Sequence, residues 1–180
     1  MFDVDEMISD GDLVQIENVG TSSLLASSTL SDSKSTSLFE FFTSDDISLP
    51  TLYWIINSSE FNQNSIRCSS LISIQDTNHF THIGVLDFLG VRTIRPFAQG
   101  NSLSSLWNIT CVDEEDLFWE KGKPVQFKNV QYNCILSASF EKMTSSSKQN
   151  RWKLECGSDT SKATYWKVER GIFSSNRDDL

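Results

Sequence analysis

Short stretches of this chain alternate apolar and polar residues, and the alternation recurs. Between Phe118 and Ala138 a turn at Gly122 leads into Val125-Gln126-Phe127-Lys128, apolar at every second place. A polar break from Gln131 to Asn133 follows, then a second apolar run, Ile135-Leu136, that ends in small residues. Period-two patterning describes a strand with one buried face, and the break describes a hairpin loop. The same grammar occurs twice upstream. A first unit, about 9–57, has Gly11 ahead of Val14–Asn18, then Ser23–Ser27, Leu38–Phe42 and Leu52–Ile56. From Ser22 to Ser37 half the residues are serine, the composition of a loop. A second unit, about 65–112, offers Ile72–Asp76, Phe80–Ile83, Thr93–Arg95 and Leu106–Ile109. The third, about 118–168, offers Val125–Asn129, Ile135–Ser137, Trp152–Glu155 and Tyr165–Val168.

The opening strands at Val14, Ile72 and Val125, and the closing tryptophans Trp54, Trp107 and Trp166, each recur roughly every 55 residues, a period that marks a repeat architecture. Each unit has four short strands and no helical pattern. Three blades are too few for a propeller. The pattern predicts an all-β chain closed as a β-trefoil of three four-stranded repeats, one domain over 9–172, with a tail at 173–180. Closure removes the exposed edges that so many short strands would otherwise leave. The three tryptophans then plug the core; stacking on a sugar is the functional alternative.

Charge narrows the partners. The chain of 180 residues carries a net charge of −9, and its fifteen Lys and Arg residues are scattered. A nucleic-acid surface needs them clustered, so the scatter argues against nucleic acid as a partner and, for the same reason, against an anionic membrane surface. No apolar run approaches the ~20 residues of a membrane span, and no basic-then-apolar leader opens the sequence. No nucleotide-binding glycine loop or nucleophile elbow is present, so no cofactor is implied. His79 and His82 are the only bases near the many serines and read as surface residues. The acidic run Asp113-Glu114-Glu115-Asp116 lacks the spaced ligands of a calcium loop and reads as a solvated turn. Cys68, Cys111, Cys134 and Cys156 show no zinc spacing, which leaves two disulfides or four thiols and no metal site. Asn57-Ser58-Ser59 and Asn108-Ile109-Thr110 are sequons, so Asn57 and Asn108 are glycosylation candidates, although a serine-rich chain also produces sequons by chance.

Several of these residues resemble a known module. Three repeats with a glycine, a Val-x-Ile/Phe-x-Asn strand, a short Leu-rich strand and a closing Tyr/Leu-Trp strand resemble the MIR domain. That module also occurs in protein O-mannosyltransferases and in inositol trisphosphate and ryanodine receptors. Trp107-Asn108-Ile109-Thr110-Cys111, Phe118-Trp119, Val125-Gln126-Phe127-Lys128 and Leu136-Ser137 resemble the stromal cell-derived factor-2-like family. So does Gly90-Val91-Arg92-Thr93-Ile94-Arg95-Pro96-Phe97, where that family has Gly-x-Gln-x-Val-x-x-Phe. The family's Leu-His-Ser-His motif is replaced by Leu25-Ala26-Ser27 in the first unit and reduced to Thr81-His82 in the second.

The resemblance implies a non-enzymatic module of the endoplasmic reticulum lumen, a subunit of an Hsp40–Hsp70 chaperone complex in quality control of secretory proteins. Its implied partners are an Hsp40-type co-chaperone and unfolded or O-mannosylated clients. Arg177-Asp178-Asp179-Leu180 fit such a lumenal protein as a variant of the Lys/His-Asp-Glu-Leu retrieval signal, with a solvated polar tail as the alternative. Function on such a fold sits on loops and outer faces, which makes His82, Arg92 and Arg95 the candidate contacts. In an oxidising lumen disulfides are expected. If the first and last strands of the second unit pair antiparallel, Cys68 meets Cys111. A third-unit hairpin that pairs Ile135 with Glu155 would bring Cys134 to Cys156, with buried thiols as the alternative there. A lectin-like trefoil that binds glycans through an exposed aromatic, and a MIR segment associated with O-mannosylation, are the competing readings.

Overall fold

The sequence alternation becomes an alternation of burial. Strand β1 (Leu13–Asn18) buries Val14, Ile16 and Asn18 and leaves the residues between them half exposed. Strand β9 (Val125–Asn129) repeats the pattern with Val125, Phe127 and Asn129. The computed structural model describes residues 6–28, 40–46, 52–60, 64–142, 150–158 and 162–172. Among them twelve strands are present: β1, β2 (Ser23–Ser27), β3 (Phe41–Ser44), β4 (Trp54–Ser58), β5 (Leu71–Asp76), β6 (His82–Phe88), β7 (Val91–Phe97), β8 (Trp107–Cys111), β9, β10 (Ile135–Lys142), β11 (Arg151–Gly157) and β12 (Trp166–Ile172). One 3-10 turn, Lys162–Thr164, precedes β12.

The pairing closes a ring. β1 pairs β4, β4 pairs β5, β5 pairs β8, β8 pairs β9, β9 pairs β12 and β12 pairs β1, all antiparallel. These are the first and last strands of each unit, so the three units form a six-stranded barrel. The middle strands form three hairpins, β2–β3, β6–β7 and β10–β11, across one end. This is the β-trefoil expected from the repeat.

Three sets of equivalent contacts express the threefold arrangement. The indole Nε1–H groups of Trp54, Trp107 and Trp166 donate to the carbonyls of Leu25, Ile83 and Leu136, at 3.0, 2.9 and 2.8 Å. All three indoles are fully buried, so each ring ties a barrel strand to the cap hairpin of its own unit. Each contributes on the order of 4–6 kcal/mol of transfer free energy. At the other end the barrel floor is closed by backbone. Ile8 N–H donates to Trp119 O (2.9 Å), Trp119 N–H to Ile66 O (2.8 Å) and Ile66 N–H to Ile8 O (2.7 Å). The third set ends the first strand of each unit: Asn18, Asp76 and Asn129 are buried and accept from the N–H groups of the turn that follows.

Several strands differ from the periodicity. β6 runs on to Phe88 and β7 begins at Val91, well past the expected Phe80–Ile83 and Thr93–Arg95. Here the outward residues Leu86, Phe88 and Val91 are apolar, so both faces look alike in sequence and the period of two vanishes. β3 occupies Phe41–Ser44, whereas Leu38 and Phe39 lie outside the described residues. The expected tail at 173–180, with Arg177, Asp178, Asp179 and Leu180, also lies outside them.

Candidate binding face

The cap end holds the candidate contacts. β6 and β7 pair from His82–Phe97 to Phe88–Val91 around a two-residue loop, Leu89-Gly90. Both loop residues have positive φ, 54° and 82°, the backbone that matches the twist of a two-residue hairpin. Gly90 adopts it freely. Leu89 carries a Cβ that disfavours it, and its side chain is 88% exposed. The Asp87 carboxylate accepts from Gly90 N–H at 2.9 Å, which secures the turn. With Phe88 and Val91 beside it, the hairpin tip is an exposed apolar knob.

Arg92 is anchored rather than free. Its Nε lies 3.5 Å from Asp87 Oδ2, its Nη1 donates to Tyr132 O at 3.2 Å, and its guanidinium sits 5.3 Å over the Tyr132 ring. Arg95 makes no ion pair among the described residues. Both arginines line a cavity of about 600 Å³ between β7, β3 and β11. Its walls include Phe41, Ile94 and Leu154; its charged residues also include Lys153, Glu40 and Glu155. Sequence periodicity did not point to Lys153, because β11 and β7 belong to different repeats and meet only in the cap.

His82 is buried, and this corrects its expected place on the surface. Its ring packs so closely on Gly100 that a Cβ there would lie 2.6 Å from the ring's Cε1 and Nδ1. Nδ1 has no hydrogen-bond partner, and burial lowers the histidine's pKa below the ordinary 6.5. His79 is also held, with its Nδ1 2.6 Å from Oδ2 of the buried Asp76. Asp76 also accepts from Ser27 Oγ at 2.9 Å. The Ser73 hydroxyl lies on the same side of Gly100 as the His82 ring, 2.8 Å from where a Cβ on that glycine would stand.

A second cavity, of about 590 Å³, opens at the floor end beside Arg67, Asn108, Asp116 and Phe118. The Cys68–Cys111 disulfide lines it, where β5 and β8 pair Leu71 with Asn108. The second disulfide joins Cys134 and Cys156. The β10–β11 register places Ile135 opposite Gly157, not Glu155. A slip of two keeps every side chain on its face, and the bridge still forms. Among the described residues no cysteine is free and no cluster of His, Cys, Asp or Glu converges on a metal site. Asn57 and Asn108 are half-buried; their amides donate to Gln75 Oε1 (3.3 Å) and Ser69 O (3.0 Å). Asp113, Glu114 and Glu115 are exposed, and Lys123 caps Asp116 at 2.7 Å, its pKa raised well above the ordinary value by hydrogen bonds to Asp116 and Glu120. No helix among the described residues is long and apolar enough to cross a membrane.

No family model matches the chain, and no curated protein matches it in sequence. Solved structures share its fold. An SDF2-like protein from Arabidopsis thaliana superposes with a TM-score of 0.77 at 12% identity, over 93% of this chain and 97% of that one. The S. cerevisiae protein O-mannosyltransferase Pmt1-Pmt2 complex bound to the sugar donor gives 0.75 at 10% identity, over 95% of this chain and 26% of that one. The designed 3-fold symmetric protein ThreeFoil gives 0.59 at 6% identity, over 88% and 98%.

Proposed function

We propose that this chain is a non-enzymatic binding module of the endoplasmic reticulum lumen. It serves there as a subunit of an Hsp40–Hsp70 chaperone complex that handles unfolded or O-mannosylated secretory proteins. The observation that carries the reading is a fold shared with an SDF2-like protein across nearly the full length of both chains. Two disulfides suit an oxidising compartment. Affinity purification from the native organism, without crosslinker, tests the proposal. An Hsp40-type protein and an Hsp70 should co-purify in near-stoichiometric amounts; recovery without either overturns it.

One observation favours glycan binding as a second reading. Phe80 is 65% exposed and stands at φ 55° in a turn beside the exposed Asn78. The equivalent turn positions in the other units hold Ser22 and Asn133, which suit that backbone better. An exposed ring beside an amide is the minimum a sugar platform needs. Binding on a glycan array that disappears in Phe80→Ala would favour this reading over the first.

A further inference from the structure

The two disulfides have different surroundings. Cys68 and Cys111 are both half-buried, and both line the 590 Å³ cavity at the floor end. Cys134 is 4% exposed and belongs to the hydrophobic core, so only Cys156 reaches the cap cavity. A thiolate that opens a disulfide attacks one sulfur and expels the other as a thiolate. At Cys134–Cys156 both routes are poor. The Cys134 sulfur is covered, and attack at Cys156 would leave a charge on Cys134 in apolar surroundings. At Cys68–Cys111 both residues border open space.

The backbone around Cys68–Cys111 is secured independently of the bridge. Cys68 N–H donates to Leu117 O (3.0 Å) and Ser69 N–H to Ile109 O (2.8 Å). β8 pairs with β9 from Trp107–Asn129 to Cys111–Val125. Opening the bridge therefore leaves both cysteines in place, their Cα atoms held near the 5.4 Å of the closed form. Ser69, next to Cys68, stands at φ 106°, a backbone that an ordinary residue adopts only under strain. Exposed bridges at strained positions are the ones that exchange.

We propose that Cys68–Cys111 is a reversible exchange site that holds cysteine-bearing polypeptides, above all those with lysine or arginine beside the cysteine. A guest thiolate attacks Cys111 Sγ. The guest–Cys111 disulfide forms as the Cys68–Cys111 bond breaks, and Cys68 leaves as a thiolate. Arg67, its neighbour in sequence, lines the same cavity and favours that charge. Return attack by the Cys68 thiolate on Cys111 Sγ re-forms the bridge and releases the guest as a thiolate. One disulfide breaks and one forms in each direction, so neither an oxidant nor a reductant is needed. The preference for basic guests follows from the walls of the cavity. Asp113 and Glu114 line it without ion pairs among the described residues, whereas Asp116 is held by Lys123. In a chain of net charge −9 these two carboxylates attract a cationic guest. The activity goes beyond the binding-module reading and needs no chaperone partner.

The test uses the full, oxidised chain and two end-blocked tripeptides, Lys-Cys-Lys and Glu-Cys-Glu, near neutral pH. Samples are quenched with acid, alkylated, digested and read by mass spectrometry. The guest should appear on Cys111 with Cys68 alkylated. Cys68–Cys111 should open about tenfold or more faster than Cys134–Cys156, with the circular dichroism of the untreated chain retained. Each peptide's rate is taken relative to its rate on hydroxyethyl disulfide, which removes intrinsic thiol reactivity. On that scale Lys-Cys-Lys should react roughly threefold or more faster than Glu-Cys-Glu, and molar salt should close the gap. The double variant Asp113→Asn, Glu114→Gln, at two exposed positions, should close it as well. Both bridges opening together, opening that follows loss of the dichroism signal, or equal relative rates for the two peptides overturns the proposal. If no exchange occurs while the Hsp40 and Hsp70 still co-purify, this inference falls alone.

Discussion

At single positions the three repeats act as controls on one another. Where units one and three carry Ser22 and Asn133 at positive φ, unit two carries Phe80, and Leu89 is a further bulky residue in the same backbone region. A left-handed conformation costs an ordinary residue roughly 1–2 kcal/mol. Leu89→Asn should therefore raise stability by about 1 kcal/mol in urea denaturation; a lowered midpoint would show that the leucine packs against something. The buried His82 gives a pH dependence. Its folded pKa lies below the ordinary 6.5, so the unfolded chain binds the proton more readily. Stability that is complete above pH 6.5 is thus lost as the pH falls from there toward the folded pKa. Denaturation at a series of pH values should show a steeper loss below neutrality for the wild type than for His82→Gln. Equal slopes would remove the histidine as the cause.

The second unit departs from the other two in its elements as well. Gly11 and Gly122 hold positive φ ahead of their first strands, and their N–H groups donate to Ile56 O and Val168 O. The matching residue of unit two is Ser69, at φ 106°, which donates to Ile109 O. Cys68 is next to it and is bridged to Cys111 across 43 residues of chain. The disulfide and the strained serine therefore sit on one hinge between β5 and β8. Replacing both cysteines by alanine should cost roughly 4 kcal/mol in the chain-entropy picture. Adding Ser69→Gly to that background should recover about 1 kcal/mol by relieving strain. A double alanine variant as stable as the wild type, measured by guanidinium unfolding, would show that the strand pairing alone carries the unit.

For the molecule as a whole, the closed barrel leaves function to its two ends, and the cap end holds both the cavity beside β7 and the exposed hairpin tip. Compartment is a property of the whole chain as well. If Arg177-Asp178-Asp179-Leu180 act as a retrieval signal, deleting them should send most of the protein into the medium of expressing cells, as read by immunoblot. Unchanged retention would leave the lumenal reading dependent on partner binding alone.

Much of this was legible in one dimension, for a physical reason. The three tryptophans stand out because each copy of the unit must fill the same position in the barrel, so repetition marks them. Cys68 and Cys111 could be joined on paper because a first and a last strand that pair antiparallel bring their ends together whatever the rest does. Strand ends, the burial of His82 and the company of Arg95 were not legible. Burial depends on what other segments lie across a residue, and Gly100 covers His82 from another element. Arg95 meets the groove of Lys153 only because hairpins from two different units converge on the cap. Sequence by itself determined the triplicated strand unit and its buried indoles, since period-two burial and repetition are local properties. Tertiary structure alone decided which hairpins of different units meet in the cap, with β7 set against β11 and β3, because contact between distant strands is settled only when the ring closes.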